Sequence, residues 1–337
     1  MIEIDGSYGE GGGAILRHAL GMAAYAGKSI RVRNIRAGRS RPGLAAQHLK
    51  GVEAAGAVSG ARVRGANLGS TELTFDPGPV RAGKFRFDVG TAGSTTLVLQ
   101  TVLLPCLFLT GEFEFELVGG TDVPWSPPAD YLRQVTLQTL RPFGVAELRV
   151  ARRGYYPKGG GELLARVVGG SGFGFPLTFL EAGEVKAIHG ISHATIQLQE
   201  RRVAERQADA ADHLLKRLGV PVEISVEYSE AANLGSGITL WTESENGPPL
   251  GSSALGAKGI AADEVGRDAA KGLLSELDSG AAVDRHLADQ LIPFMAVAGG
   301  SVLTSAISSH TRSNIYVAER ILGAEIEIDG LTITAGR

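Results

Sequence analysis

SVLTSAISSHTRSNIYVAERIL, Ser301–Leu322, is the stretch from which the fold can be read. Its first part, Ser301–Ile307, is an apolar run of strand character, and Asn314–Leu322 has the spacing of an amphipathic helix. Between them SSHTRSN places His310 in a strand-to-helix loop, with Ser308, Ser309 and Thr311 as cap candidates for the helix. A lone loop histidine ordinarily does no more than face water or cap a helix. His310 stands out because the chain builds the same kind of loop three times.

Outward from this stretch, a short run at Ala281–Val283 and a helix Arg285–Val297 precede it, and a strand pair, Glu325–Ile328 and Leu331–Thr334, follows. The order is β-α-β-α-β-β. The N-terminal part repeats it: Met1–Asp5, a helix from about Ala14 to Ala26 opened by the glycine-rich Gly6–Gly13, and strand Ser29–Ile35. The loop Arg36–Gly43 (RAGRSRPG), helix Leu44–Ala55 and strands around Ala61–Arg64 and Glu72–Phe75 complete that copy. A further copy runs through strand Lys84–Val89, a helix from Gly93–Ser94 to about Leu109, and strand Glu112–Val118. Its loop is Gly119–Pro128 (GGTDVPWSPP), followed by helix Ala129–Leu140 and strands Ala146–Arg152 and Gly161–Val168.

Copies of one supersecondary unit predict an α/β fold of three β-α-β-α-β-β units in pseudo-threefold arrangement, sheets on one side and helices on the other. The last copy is set apart by a segment that reads as strand Val185–Gln197, helix Leu198–Leu218, strands near Val222–Tyr228 and Ile238–Glu243, and a helix from about Asp263 to Leu277. This is a smaller inserted α/β domain, bounded by the loops Gly169–Pro176 and Ser279–Gly280. The expected division is a three-repeat domain of residues 1–182 and 279–337, and an inserted domain of residues 183–278.

Charge excludes a global attraction to nucleic acid. With 33 basic and 36 acidic residues the net charge is −3, so any polyanion site must be a local cluster of arginines. One cysteine, Cys106, excludes an internal disulfide and a cysteine-based zinc site. The start, MIEIDGSYGEGGG, lacks the features of a signal peptide, and the longest apolar run, Leu97–Leu109, is interrupted by Gln100, Thr101 and Pro105. A cytoplasmic protein without a membrane partner is expected.

Two places suggest chemistry. Arg36, Arg39 and Arg41 crowd one loop, and guanidinium forks suit phosphate oxygens, although such a loop can also be merely solvated. Gln47 and His48 follow directly on the next helix. Gly9–Gly13, with Glu10 and Arg17, opens a helix whose free N–H groups favour an anion, but no Gly-Lys-Ser/Thr follows, so it is not a Walker A loop. Arg153–Leu163 (RGYYPKGGGEL) reads on its composition as a turn between strands. His189 and His193 would lie about 13 Å apart along a strand, too far for one metal ion. The mixed charges from Glu200 to Arg206 read as a solvated helix face.

GEGGGAILR, IRAGRSRPGL with AAQHL, GTAGSTTLVLQTVL, GGTDVPWSPPADY, RGYYPKGGGEL, HLADQLI and SSHTRSNI, in this order, resemble the RNA 3′-terminal phosphate cyclase family from end to end, RGYYPKGGGEL being the most specific match. The resemblance implies three repeats like the C-terminal domain of translation initiation factor three, with a smaller domain inserted before the last. It implies an ATP-dependent reaction on an RNA with a 3′-phosphate. A histidine takes AMP from ATP, passes it to the RNA 3′-phosphate, and the 2′-hydroxyl displaces AMP to close a 2′,3′-cyclic phosphate.

By the same resemblance His310 is the nucleophile, and Glu10 helps to hold a divalent metal, Mg²⁺ or Mn²⁺. Arg17, Arg36, Arg39 and Gln47 line the phosphate site. Gln100, Pro127 and Tyr131, with Arg285, His286, Leu287, Ala288 and Asp289, surround the nucleotide, and Tyr131 and His286 are stacking candidates. Two other readings share part of this pattern: a non-catalytic cyclase-like factor of ribosome assembly, which lacks the histidine, and an enolpyruvyl-type carboxyvinyl transferase, which lacks the SSHTRSN and RGYYPKGGGEL motifs. ATP-dependent covalent labelling separates the three.

Overall fold

The computed structural model describes residues 1–170 and 175–336; the expected boundary loop Gly169–Pro176 lies partly outside them. Its elements run β1 (Ile2–Asp5), α1 (Gly13–Ala26), β2 (Ile30–Arg33), α2 (Ala46–Ser59), β3 (Arg62–Arg64) and β4 (Leu73–Asp76). They continue with β5 (Gly83–Asp88), α3 (Thr95–Phe108), β6 (Gly111–Gly119), α4 (Ala129–Tyr131), a π turn Leu132–Thr136, α5 (Leu137–Thr139), β7 (Val145–Arg152) and β8 (Gly161–Gly169). The rest is β9 (Leu177–Phe179), β10 (Glu184–Thr195), α6 (Val203–Leu215), β11 (Val222–Ser229), β12 (Ser236–Glu245), β13 (Gly251–Leu255), α7 (Ala262–Asp278), α8 (Arg285–Ala298), β14 (Gly300–Leu303), α9 (Ser309–Leu322), β15 (Ile326–Asp329) and β16 (Thr332–Ala335).

The chain is a mixed α/β protein with four four-stranded sheets among the described residues. Three sheets share one topology, with orders β1-β2-β4-β3, β5-β6-β8-β7 and β9-β14-β16-β15. In each the first two strands are parallel, as a crossover helix between them requires, and the remaining pairs are antiparallel. The last sheet differs from expectation in one respect. Its first strand is not the run at Ala281–Val283 but Leu177–Phe179, so β10 to α7 interrupt the unit between its first strand and its first helix. Val283 contributes only a single bridge to Thr304.

Alternation builds these sheets. In β6, Phe113, Phe115 and Leu117 point into the core, while Glu112, Glu114 and Glu116 face outward to Arg166, Lys84 and Arg86 on the flanking strands. The helices cover the opposite faces. Helix α3 is apolar all round and almost wholly buried, as a helix enclosed by neighbours must be. It packs on α1 and α2, and α9 packs on α1 and α8. Phe108 of α3 meets Tyr25 of α1, Phe143 and Phe294 of α8, joining the units through one aromatic centre.

The fourth sheet, β11-β10-β12-β13, is backed by α6 and α7 over its own apolar cluster of Ile188, Leu215, Leu240 and Leu273. Strand β13 has no counterpart in the expected elements; its sequence, GSSAL, carries neither β-branched residues nor alternation. No helix among the described residues is long and apolar enough to cross a membrane.

Candidate active site

The loop between β1 and α1 is pressed between the first turn of α9 and the arginine loop. Gly9 and Gly11 have φ of 59° and 57°, and a side chain on Gly9 would meet Ser313 Oγ at 2.6 Å. On the other side, a side chain on Gly38 would meet the carbonyl oxygen of Glu10 at 2.3 Å. Three segments far apart in sequence are thereby fixed around Glu10.

His310 is not in a loop. The helix begins at Ser309, with Ser308 as N-cap, so His310 lies in the first turn of α9. The Ser308 hydroxyl accepts the Thr311 N–H at 3.0 Å while Thr311 Oγ1 accepts the Ser308 N–H at 3.1 Å, a closed capping box. Both hydroxyls also donate to Asp289 Oδ1, at 2.6 and 2.5 Å, which ties the turn to α8. The first N–H groups of α9, those of Ser309 and His310, have no carbonyl one turn back and make this end receptive to an anion.

His310 Nδ1 lies 3.1 Å from Glu10 Oε1, and Arg39 donates to Glu10 Oε2 at 3.0 Å. Oε1 is buried with the His310 imidazole as its neighbour, and its second lone pair is available to a ligand. Burial lowers the pKa of Arg17 to about 10, against the pull of Glu10 and Asp289, and the side chain remains a cation at neutral pH. The His48 imidazole is held down to about 3 by burial and then by Arg36, Arg17 and Arg39. Arg17, Gln47 and His48, with Leu16, Leu20, Gly51, Leu97 and Thr101, line a small cavity of about 20 Å³, room for roughly one water.

The other expected residues divide by what they touch. The Arg36 guanidinium donates to the carbonyls of Arg41 and Gly43 and so shapes its own loop, helped by a left-handed backbone at φ 56°. Gln47 accepts the Ser94 N–H at the cap of α3. Gln100 donates to Gln290, and the Pro127 carbonyl accepts from Thr96. Tyr131 is only 3% exposed and its hydroxyl donates to Asp284 at 2.6 Å; its ring meets the exposed His286 edge-on, with centroids 6.5 Å apart. Arg285 is held by Glu276, while Leu287 and Ala288 are fully buried beneath Asp289. Asp289 carries both groups together: burial raises its pKa against its bonds from Ser308 and Thr311.

A second polar cluster went unread in the sequence. Arg153, the first residue of RGYYPKGGGEL, is 4% exposed and reaches Asp122 at 3.3 Å, Asp130 at 2.8 Å and Glu227 at 2.8 Å. Tyr155 meets His193 Nδ1 at 2.8 Å, and His193 Nε2 lies 3.5 Å from Asp122. Asp122, Asp130 and His193 have the spacing of a metal site, but the guanidinium already supplies the cation that the two carboxylates need. Burial opposes the charge on Asp122, yet His193 and Arg153 hold its carboxyl well below the usual range. The motif is therefore more than a turn: it fastens β10 and β11 to the unit built on β6. An arginine followed by two tyrosines in a turn is the available signal, since a turn on the surface needs neither.

The family profile described as RNA 3′-terminal phosphate cyclase matches residues 8–328. A protein of Archaeoglobus fulgidus named RNA 3′-terminal phosphate cyclase is 48% identical over 98% of this chain and 98% of its own length. Proteins of the same name from Pyrococcus furiosus and Thermococcus onnurineus are 47% and 48% identical, over 98% and 100% of this chain and 96% and 98% of theirs.

Proposed function

The chain belongs to the RNA 3′-terminal phosphate cyclase family, and on that premise we propose that it converts an RNA 3′-phosphate into a 2′,3′-cyclic phosphodiester with consumption of ATP, His310 being the carrier of AMP. One observation carries this reading: His310 stands in the first turn of α9 with Nδ1 against Glu10, the carboxylate that Arg39 pairs and Arg17 feels.

With Nδ1 turned to a carboxylate, the proton belongs there and Nε2 keeps its lone pair. His310 Nε2 attacks the α-phosphorus of ATP; a P–N bond forms, the bond to the bridging oxygen breaks, and pyrophosphate leaves. A 3′-phosphate oxygen of the RNA then displaces the imidazole from that phosphorus. Finally the 2′-hydroxyl attacks the terminal 3′-phosphorus, loses its proton and expels AMP. Arg17 and Arg39 neutralise phosphate oxygens, and the free N–H groups of α9 point to the same anion. Glu10 fits a divalent cation, because a buried carboxylate oxygen that faces only the His310 imidazole keeps a lone pair for the ion and would leave the remaining ligands to phosphates and water. Such a cation supplies further charge neutralisation when bound.

The three like sheets support a pseudo-threefold arrangement of units, and the two separate apolar clusters support the division into residues 1–182 with 279–337 and residues 183–278.

The test is incubation with α-labelled ATP and Mg²⁺ or Mn²⁺, trapping of the adduct and mapping by peptide mass. A label on His310, stable in alkali and lost in acid, is expected. His310→Asn should abolish it in a folded protein. A label on Lys158 or His48, or cyclisation by His310→Asn, would overturn the assignment.

A further inference from the structure

We propose that Tyr8 is a stacking platform for the terminal base of the RNA, with Arg41 and Arg312 as cations for the adjoining backbone phosphates. This rests on the cyclase reading above and adds to it the residues that receive the RNA end.

Tyr8 is 45% exposed, yet it is not a loose side chain. Its ring lies flat on Tyr316 of α9, with centroids 4.2 Å apart and planes 13° from parallel. The Tyr316 hydroxyl accepts the Asp5 N–H at 3.1 Å, which anchors the lower ring. Asp5 Oδ1 in turn accepts from the Ser7 N–H, the Ser7 hydroxyl and Asn34, at 2.9, 2.7 and 3.0 Å. The backbone of Tyr8 is held at both ends, donating to Asp5 and accepting from Gly11. An aromatic face is thus fixed two residues before Glu10, the partner of His310, on a loop whose next residue rests on Ser313.

The charge around it suits a polyanion. Arg312 follows His310 by two residues, and Arg41 lies in the loop whose Gly38 lies against Glu10; both are exposed and neither forms an ion pair with the described residues. Single-stranded RNA ends are held by aromatic rings that accept any base, with cations along the backbone. This site should therefore be tolerant of base identity but not of base removal.

The experiment measures cyclisation of an oligoribonucleotide ending in a 3′-phosphate, with either an ordinary or an abasic terminal nucleotide. Adenylylation without RNA is recorded for every protein as the reference. Tyr8→Ala should raise the KM for the ordinary RNA by about five- to a hundredfold relative to that reference, the range that loss of one stacked base gives. It should cost nothing on the abasic RNA, which the unaltered protein already binds weakly. Tyr8→Phe should stay close to the unaltered protein. Tyr8→Leu keeps bulk over Tyr316 without a π face, so it tests the proposal even if the alanine variant does not fold.

An unchanged KM in Tyr8→Leu and Tyr8→Ala, a penalty that persists on the abasic RNA, or the loss appearing instead in Trp125→Ala, the fully exposed aromatic of the GGTDVPWSPP loop, would overturn the platform. Absence of both adenylylation and cyclisation in the unaltered protein would instead defeat the cyclase reading itself.

Discussion

His48 is a base that the fold keeps without its proton. Burial first, and then Arg36, Arg17 and Arg39, hold its imidazole at about 3, against an ordinary value of 6.5. The unfolded chain takes up this proton below pH 6.5, while the native state refuses it until about pH 3. The resulting stability is complete above 6.5 and is lost as pH falls towards 3, at up to about 1.4 kcal/mol per pH unit. Urea midpoints measured from pH 7 to 4 should fall more steeply for the unaltered protein than for His48→Gln, which has nothing to protonate; parallel slopes would show that His48 titrates normally. The sequence marks His48 only as a residue following an arginine-rich loop. That Arg17, from another helix, converges on it is a tertiary fact. So is the bonding of the Arg36 guanidinium to the carbonyls of its own loop, because loop arginines look alike until the backbone is placed.

At the scale of elements, the helix that carries His310 is set by its cap. The apolar spacing of Asn314–Leu322 fixes that α9 exists, but not that its first turn extends back to Ser309, since SSHTR is polar throughout and has no periodicity. The signal lay in Ser308 and Thr311, whose reciprocal bonds start the helix earlier than the apolar pattern does. Ser308→Ala should destabilise the protein by about 1 kcal/mol, the cost of a lost N-cap, and slow adenylylation of His310, because Asp289 loses one of its two hydroxyl donors. Denaturant unfolding together with labelling by ATP reads both effects. A variant that matches the unaltered protein in both would mean that Thr311 and Asn314 alone hold the turn on α8. The first strand of the last unit shows the opposite limit. Leu177–Phe179 is three residues long and separated from its unit by the whole insertion, so no local pattern could assign it.

For the molecule as a whole, the question is what holds the inserted sheet to the repeats. Its own apolar cluster would let it fold around α6 and α7, and it meets the repeats through Trp241, which packs on their apolar cluster, and through polar contacts: His193 and Glu227 around Arg153, and the Gly251 N–H on Asp284. Arg153 is the centre of this joint. Asp122 and Asp130 have fully buried side chains, so removing the guanidinium takes away the cation they share and leaves Asp122 with His193 and Asp130 with Arg133 alone. Breaking a buried pair from one side costs about 3–5 kcal/mol. Glu227 is different, because its side chain is 48% exposed and water screens what it contributes, so its loss should cost no more than about 1 kcal/mol. Urea unfolding should therefore show Arg153→Met strongly destabilised and Glu227→Gln nearly unchanged. Arg153→Met should also separate the transition into two steps, as the inserted sheet loses its attachment before the repeats unfold. Equal and small effects of the two substitutions, with a single transition in both, would mean that apolar packing rather than this ion cluster joins the two parts.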